Sequence, residues 1–162
     1  MKFPILALLA LPVFAQGTLD SLISRPLLDA HNCYPYQGKW PDRIERALAL
    51  GYPIGIEQDL AWHVDRATGK GRVVVSHSKD VTGAEPDLRA HFFERVRLIV
   101  EKALKENDRA SWPLIVVHFD FKVNSPAILR AVWDLLGEYE SWITTAVKSA
   151  DSRTAGAVTL RY

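Results

Sequence analysis

Short apolar runs along this chain alternate with longer segments in which apolar residues recur every three or four positions. The short runs predict β-strands over residues 26–30, 53–60, 72–78 and 112–122. The helical spacing predicts α-helices over residues 39–51, 85–109 and 125–143. A turn-rich segment, residues 63–71, joins the second and third strands as a hairpin. This alternating order predicts an α/β fold with a parallel sheet, in one domain.

The first 16 residues, "MKFPILALLALPVFAQ", have a different pattern from the rest of the chain. Lys2 precedes an apolar run from Phe3 to Phe14, and Ala15 follows this run. The pattern predicts a secretory signal peptide over residues 1–15 that is cleaved after Ala15. A membrane anchor is the weaker alternative, because about 12 apolar residues fall short of the roughly 20 that span a bilayer. We therefore expect residues 16–162 to be exported to the periplasm or the extracellular space.

The charge and the cysteine content of the chain argue against a nucleic-acid partner and exclude a disulfide within the chain. Of the 162 residues 24% are charged, and the net charge of +1 comes without a basic stripe or an acidic tail, so nucleic acid is not an expected partner. Cys33 is the only cysteine, which excludes a disulfide within the chain and leaves stability to the core. No motif around Cys33 indicates a nucleophile, and we interpret it as a small, partly buried residue.

Ionisable residues stand at the end of every predicted strand. They are, in chain order, His31, then Glu57 with Asp59, then His77, then His118 with Asp120 and Lys122. In parallel α/β folds, ligands bind outside the carboxyl ends of the strands. Because four strands share this feature, the sequence predicts a functional site at that edge of the sheet.

The carboxylates among these residues predict either a cation site or a salt bridge. Strand alternation places Glu57 and Asp59 on one face and Gln58 on the other. Two like charges this close require a cation between them. From the spacing alone, a divalent cation (Mg²⁺ or Ca²⁺) and a salt bridge to Lys122 explain the pair equally well. We expect Asp120 to be buried in its apolar strand and to complete a set of three carboxylate ligands.

The histidines fall into two groups. His31 and His77 each end a short strand ahead of a polar turn, and two imidazoles beside one site suit acid–base catalysis near neutral pH. We interpret His118 as part of a lower layer of the packed interior, and His63 and His91 as surface residues.

The combined pattern "AHN…G…IE-x-D…VVSH…FDFK", within residues of about 26–122, resembles the phospholipase-C-like phosphodiesterases. It is similar to the glycerophosphodiester phosphodiesterases and the phosphatidylinositol-specific phospholipase C-like proteins, and its last strand is similar to that of the sphingomyelinase D type. The resemblance implies a parallel (β/α)8 TIM barrel. Because such a barrel takes about 250 residues, we expect residues 16–162 to form its N-terminal portion, about the first half.

The resemblance also implies roles for the residues at the strand ends: a catalytic pair, His31 and His77, and three ligands of one divalent cation, Glu57, Asp59 and Asp120. Lys122 would contact the substrate phosphate or orient the ligands. Asn32 is a further candidate for the phosphate contact, and it stands where the glycerophosphodiester phosphodiesterases have Arg. We favour His31 as the base and His77 as the acid, and the reverse order fits the sequence as well.

The implied activity is cleavage of a phosphoric diester in a glycerophosphodiester, a phosphoinositide or another phospholipid head group, with transient contact to a membrane surface. Two alternatives differ in class. One is a truncated or decayed barrel that is exported but not catalytic. The other is a carbohydrate-active hydrolase that uses Glu57 and Asp59 as its carboxylate pair, which leaves His31, His77 and Asp120 unexplained.

Overall fold

The structure, a computed structural model, describes residues 26–108 and 112–143 and the backbone of two short strands, Thr145–Ala146 and Leu160–Arg161. The predicted signal peptide over residues 1–15 lies outside the described residues. Within the described part of the chain, no helix has the length and apolar character needed to cross a membrane.

Four strands form one sheet around a long central strand: β1 (Asp29–Ala30), β2 (Ile54–Val64), β3 (Gly71–Val75) and β4 (Ile115–Phe121). β1 and β4 pair with β2 in parallel, on opposite edges. β3 pairs antiparallel with the second half of β2, on the edge where β1 has ended. The hairpin and the parallel pairs follow the prediction from the sequence, although β1 is shorter than predicted.

Helices follow β1, β3 and β4 along the chain. They are α1 (Arg43–Leu48), a π-helical segment (Arg89–Phe93) that continues as α2 (Glu94–Glu106), and α3 (Pro126–Glu138) with a 3₁₀ turn after it (Glu140–Trp142). The strands β5 (Thr145–Ala146) and β6 (Leu160–Arg161) form a separate antiparallel pair.

The ends of α2 and α3 follow from local sequence. Ser125 is the extended N-cap residue of α3, and Pro126 occupies the first helical position, where its missing N–H costs no hydrogen bond. Asn107 ends α2 in the left-handed conformation (φ 51°), which stops the helix.

The two faces of β2 have different roles. Ile54, Ile56 and Leu60 face the helices and belong to a hydrophobic core that all three helices line, through Ile44, Ala47, Phe92, Val96, Ile128, Val132 and Leu135. By strand alternation, Glu57 and Asp59 lie on the opposite face. The polar site and the apolar core therefore occupy the two sides of one strand.

The structure of β4 contradicts two predictions from the sequence, the burial of Asp120 and the burial of His118. Its odd-numbered residues pack against the core: Ile115, Val117, Phe119 and Phe121. Its even-numbered residues share the face of Glu57 and Asp59, and there Asp120 is not buried, since its side chain is 46% exposed. His118 is exposed as well and is not part of a packed interior. The reason is that β4 pairs only with β2 among the described strands, which leaves this face partly open.

The sheet is not closed within the described residues. The (β/α)8 barrel, and the assignment of residues 16–162 to its N-terminal portion, stay predictions.

His91 is a further correction, because it is buried rather than on the surface. Its neighbours Phe92 and Phe93 are buried too. Three consecutive inward side chains do not fit the period of a regular α-helix. The π-helical segment allows them, because its wider turn shifts the helical phase at this point.

Candidate active site

The pairing of the strands brings the predicted site residues together at the carboxyl ends of the parallel strands. The end of β1 places His31 beside Glu57, and the register between β2 and β4 puts Asp120 directly opposite Asp59. The chain leaving β3 places His77 beside Asp59 as well. Residues far apart in sequence thus meet within one cluster.

Three carboxylates form the centre of this cluster. Glu57 and Asp59 are buried, with 4% and 0% of their surface exposed, whereas Asp120 is half-exposed. One carboxylate oxygen from each residue lies within 4.8 Å of the other two. The arrangement therefore offers oxygen ligands from three residues to a single hard cation.

Asp59 is the most heavily bonded of the three. Its Oδ2 accepts hydrogen bonds from the Tyr34 hydroxyl at 2.6 Å, from His77 Nδ1 at 2.8 Å and from Lys122 Nζ at 3.2 Å. Burial by itself raises the pKa of Asp59, but these donors outweigh burial and hold the pKa below its usual value. Its Oδ1 is buried and has no hydrogen-bond partner within the described part of the chain.

Glu57 orients His31. Its Oε2 accepts a hydrogen bond from the backbone N–H of Asn32 at 2.7 Å and lies 3.2 Å from Nε2 of His31. The side-chain amide of Asn32 donates to Nδ1 of the same imidazole at 2.8 Å. Both ring nitrogens of His31 are therefore engaged, although the side chain is 68% exposed.

In the described part of the chain, His77 forms a hydrogen bond through one of its two ring nitrogens. Its Nδ1 donates to Asp59, and no described residue forms a hydrogen bond with its Nε2. A neutral imidazole that donates through Nδ1 carries a lone pair on Nε2, so this atom can accept a proton from a bound molecule. The side chain is 60% exposed and lines a cleft.

The ammonium group of Lys122 offsets part of the negative charge of the three carboxylates. Its ammonium lies 2.6 Å from Asp120 Oδ2 and 3.2 Å from Asp59 Oδ2. Burial by itself lowers the pKa of Lys122, but these two carboxylates outweigh burial and raise it. Glu57 is outside ion-pair distance of this lysine. Three formal negative charges and one positive charge leave a charge of about −2, which a divalent cation would match.

The cleft beside the cluster has a volume of about 250 Å³ and is lined by Asn32, Tyr34, Tyr36, Arg43 and His77. Asn32 and His77 were predicted to be functional, whereas the sequence did not point to Tyr34 or Arg43. A tyrosine in the turn after β1 and an arginine in the first turn of α1 are signals too common to single out. Because Tyr34 and His77 both bind Asp59, the cleft adjoins the carboxylate cluster.

Hydrogen bonds from buried polar side chains hold the loop between β1 and α1 against β2. The Gln58 amide donates to the carbonyl oxygens of Cys33 and Glu57, at 2.8 and 2.7 Å. Nε2 of His91 donates to the same Cys33 carbonyl at 3.2 Å. The face of β2 opposite the carboxylates therefore positions the loop that carries Asn32 and Tyr34.

The chain matches no protein-family model, no curated protein and no solved structure. The resemblance to the phospholipase-C-like phosphodiesterases stays a prediction, carried by the residues described above.

Proposed function

We propose that this protein binds a divalent cation at Glu57, Asp59 and Asp120 and cleaves phosphoric diesters in the adjoining cleft. One observation carries the proposal. Two exposed histidines each bind a separate buried carboxylate, and both carboxylates belong to the same cluster of three. Acid–base groups and cation ligands in contact are the parts that such a reaction needs.

The residues fit a hard cation. Carboxylate oxygens are the ligands that Mg²⁺ and Ca²⁺ prefer. Among the described residues, Asp59 Oδ1 is buried without a hydrogen-bond partner, which is rare for a polar atom and would be accounted for by a bound cation at this point. When bound, the cation would stabilise the negative charge that develops on a phosphate oxygen.

The histidines supply the proton transfers. His77 removes the proton from the attacking water, or from a hydroxyl of the substrate, through Nε2, and Asp59 stabilises the imidazolium that results. His31 takes up a proton at Nδ1, which ends the hydrogen bond from the Asn32 amide, and the imidazolium then gives a proton to the leaving alkoxide as the P–O bond breaks. This order reverses the one favoured from the sequence, because His31 has both nitrogens engaged and His77 does not.

The attacking group decides the product. Attack by water gives a phosphate monoester and an alcohol, whereas attack by a neighbouring substrate hydroxyl gives a cyclic phosphate and an alcohol. Asn32 lines the cleft, which supports the phosphate contact proposed for it. Lys122 holds Asp59 and Asp120 in position through its two ion pairs, which supports the ligand-orienting role, one of the two roles expected from the sequence, over the phosphate contact.

The cation site is tested by thermal unfolding with MgCl₂ or CaCl₂ and with EDTA. We expect either salt to raise the melting temperature of the wild-type protein and Glu57→Gln to remove this increase, since ligand binding stabilises the folded state. Glu106→Gln, at an exposed carboxylate near the end of α2, is the matched control and keeps the increase. A cation response that persists in Glu57→Gln would contradict the assigned ligands.

The reaction is tested with bis-(p-nitrophenyl) phosphate and with glycerophosphodiesters. We expect turnover that EDTA abolishes and that His77→Gln lowers by about 10²- to 10⁴-fold, the usual contribution of one acid–base group. Turnover in EDTA, or turnover unchanged by His77→Gln, would exclude the proposed chemistry.

A non-catalytic, exported domain is the second candidate, and the contacts of Lys122 favour it. In that case the carboxylates form only a structural salt bridge with this lysine. This candidate predicts no response to a divalent cation and no turnover in the two experiments above.

A further inference from the structure

We propose that Arg43 is a substrate-binding residue that holds a non-bridging phosphate oxygen in the cleft beside His77. The nature of the substrate rests on the proposed function. The role of Arg43 as an oxyanion contact rests on its own surroundings and has its own test.

Arg43 is held with its guanidinium at the cleft. It stands at the start of α1, is half-buried, and lines the cleft with Tyr34 and His77. Its Nη1 donates to the backbone carbonyl of Asn32 at 2.5 Å. Its Cζ lies 4.5 Å from the centre of the Trp40 ring, so the planar group rests on an aromatic face. A guanidinium fixed on two sides loses little conformational freedom when it binds an anion.

Among the described residues, no Asp or Glu forms an ion pair with Arg43. Three other arginines are paired: Arg89 with Glu138, Arg95 with Glu45, and Arg97 with Glu94 and Glu101. Arg43 thus brings an uncompensated positive charge, with N–H donors to spare, to a cleft that contains an exposed imidazole.

An anionic substrate needs such a charge here. The cluster behind Tyr34 and His77 carries a formal charge of about −2 with Lys122 included. The proposed divalent cation would bring this to about zero, and Arg43 then supplies the net positive charge that attracts a phosphodiester. Two N–H groups of one guanidinium match two oxygens of a phosphate, so an arginine at the cleft wall binds the anion and fixes its orientation. Of the residues that line the cleft, Arg43 alone has a permanent positive charge.

The test measures binding of inorganic phosphate by isothermal titration calorimetry, in buffer with MgCl₂. We expect the wild-type protein to bind phosphate and Arg43→Gln to lower the affinity by about 10- to 100-fold, the effect of losing a charge-assisted hydrogen-bond pair. Arg46→Gln is the matched control, because Arg46 lies on the same short helix but does not line the cleft, and it should change the affinity less than about twofold.

Arg43→Lys keeps the charge and removes the planar fork, and we expect it to lose several-fold in phosphate affinity. This variant decides the question if Arg43→Gln fails to fold. Wild-type protein that does not bind phosphate, or Arg43 variants that bind it as the wild type does, would overturn the inference. If phosphate binding depends on Arg43 while no diester is cleaved, the proposed function fails and the oxyanion site stands.

Discussion

Replacing Tyr34 by Phe removes one hydroxyl group from the buried side of the site and leaves the ring in place. Tyr34 is 2% exposed, so water has no access to replace the lost group. The hydroxyl lies 2.6 Å from Asp59 Oδ2 and 2.6 Å from Asn32 Oδ1. Both atoms are acceptors, and the single phenol proton serves the carboxylate, which is the stronger of the two.

The cost of Tyr34→Phe follows from this geometry. A hydrogen bond to a charged group contributes about 1.5–3 kcal/mol to stability. Asp59 keeps its bonds to His77 and Lys122, so we expect a loss in the lower half of this range, about 1.5–2 kcal/mol. For a chain of this size, such a loss lowers the melting temperature by roughly 3–8 °C.

The assay is urea unfolding followed by circular dichroism at pH 7 in EDTA, so that a bound cation does not contribute. Tyr36→Phe is the control, because Tyr36 lies in the same loop and lines the same cleft but is 48% exposed. This control should change the free energy of unfolding by less than about 0.5 kcal/mol. Equal losses in Tyr34→Phe and Tyr36→Phe would show that the hydroxyl does not support Asp59.

Two further predictions concern the buried groups beneath the loop. Burial lowers the pKa of His91 in the folded protein, despite its hydrogen bond to the Cys33 carbonyl. At pH values between this lowered pKa and the unfolded-state pKa of about 6.5, the unfolded chain therefore binds a proton at His91 that the folded chain does not. As the pH is lowered from 7 to 5, the free energy of unfolding should therefore fall more steeply for the wild type than for His91→Gln, by up to about 1.4 kcal/mol per pH unit. The same dependence on pH in both proteins would contradict a buried, neutral His91. Cys33, the single cysteine, is 1% exposed, and burial raises the pKa of its thiol to about 11. Ellman's reagent should therefore modify it rapidly only after the protein is unfolded in urea. Rapid reaction of the folded protein would contradict the burial of Cys33.

Much of the fold could be predicted from local sequence. The alternation of residues in β2 predicts that Glu57 and Asp59 share one face and that Ile56 lies on the other, because successive side chains of a strand point to opposite sides. The N-cap and proline at the start of α3 are equally local signals. The position of His31 beside Glu57 follows from the same kind of reasoning, since the carboxyl ends of neighbouring parallel strands meet at one edge of a sheet. His77 reaches Asp59 for another reason, because β3 runs antiparallel to β2 and returns along it towards Asp59.

The tertiary structure decided the features that depend on neighbours distant in sequence. The exposure of Asp120 depends on β4 having only one partner strand among the described residues, and no pattern within β4 reports this. The burial of His91 depends on a π-helical segment that shifts the helical phase. Tyr34 meets Asp59, 25 positions later, only through the path of the loop after β1.

The sequence by itself therefore determined which residue types stand at the strand ends, because strand periodicity is a local property of the chain. Only the tertiary structure decided that Lys122 forms ion pairs with two of the three carboxylates and that Arg43 reaches the cleft. It also decided that Asp59 Oδ1 has no hydrogen-bond partner in the described part of the chain. The physical reason is that charge balance and hydrogen-bond satisfaction are set by distances of a few ångströms between separate segments, which spacing along the chain does not specify.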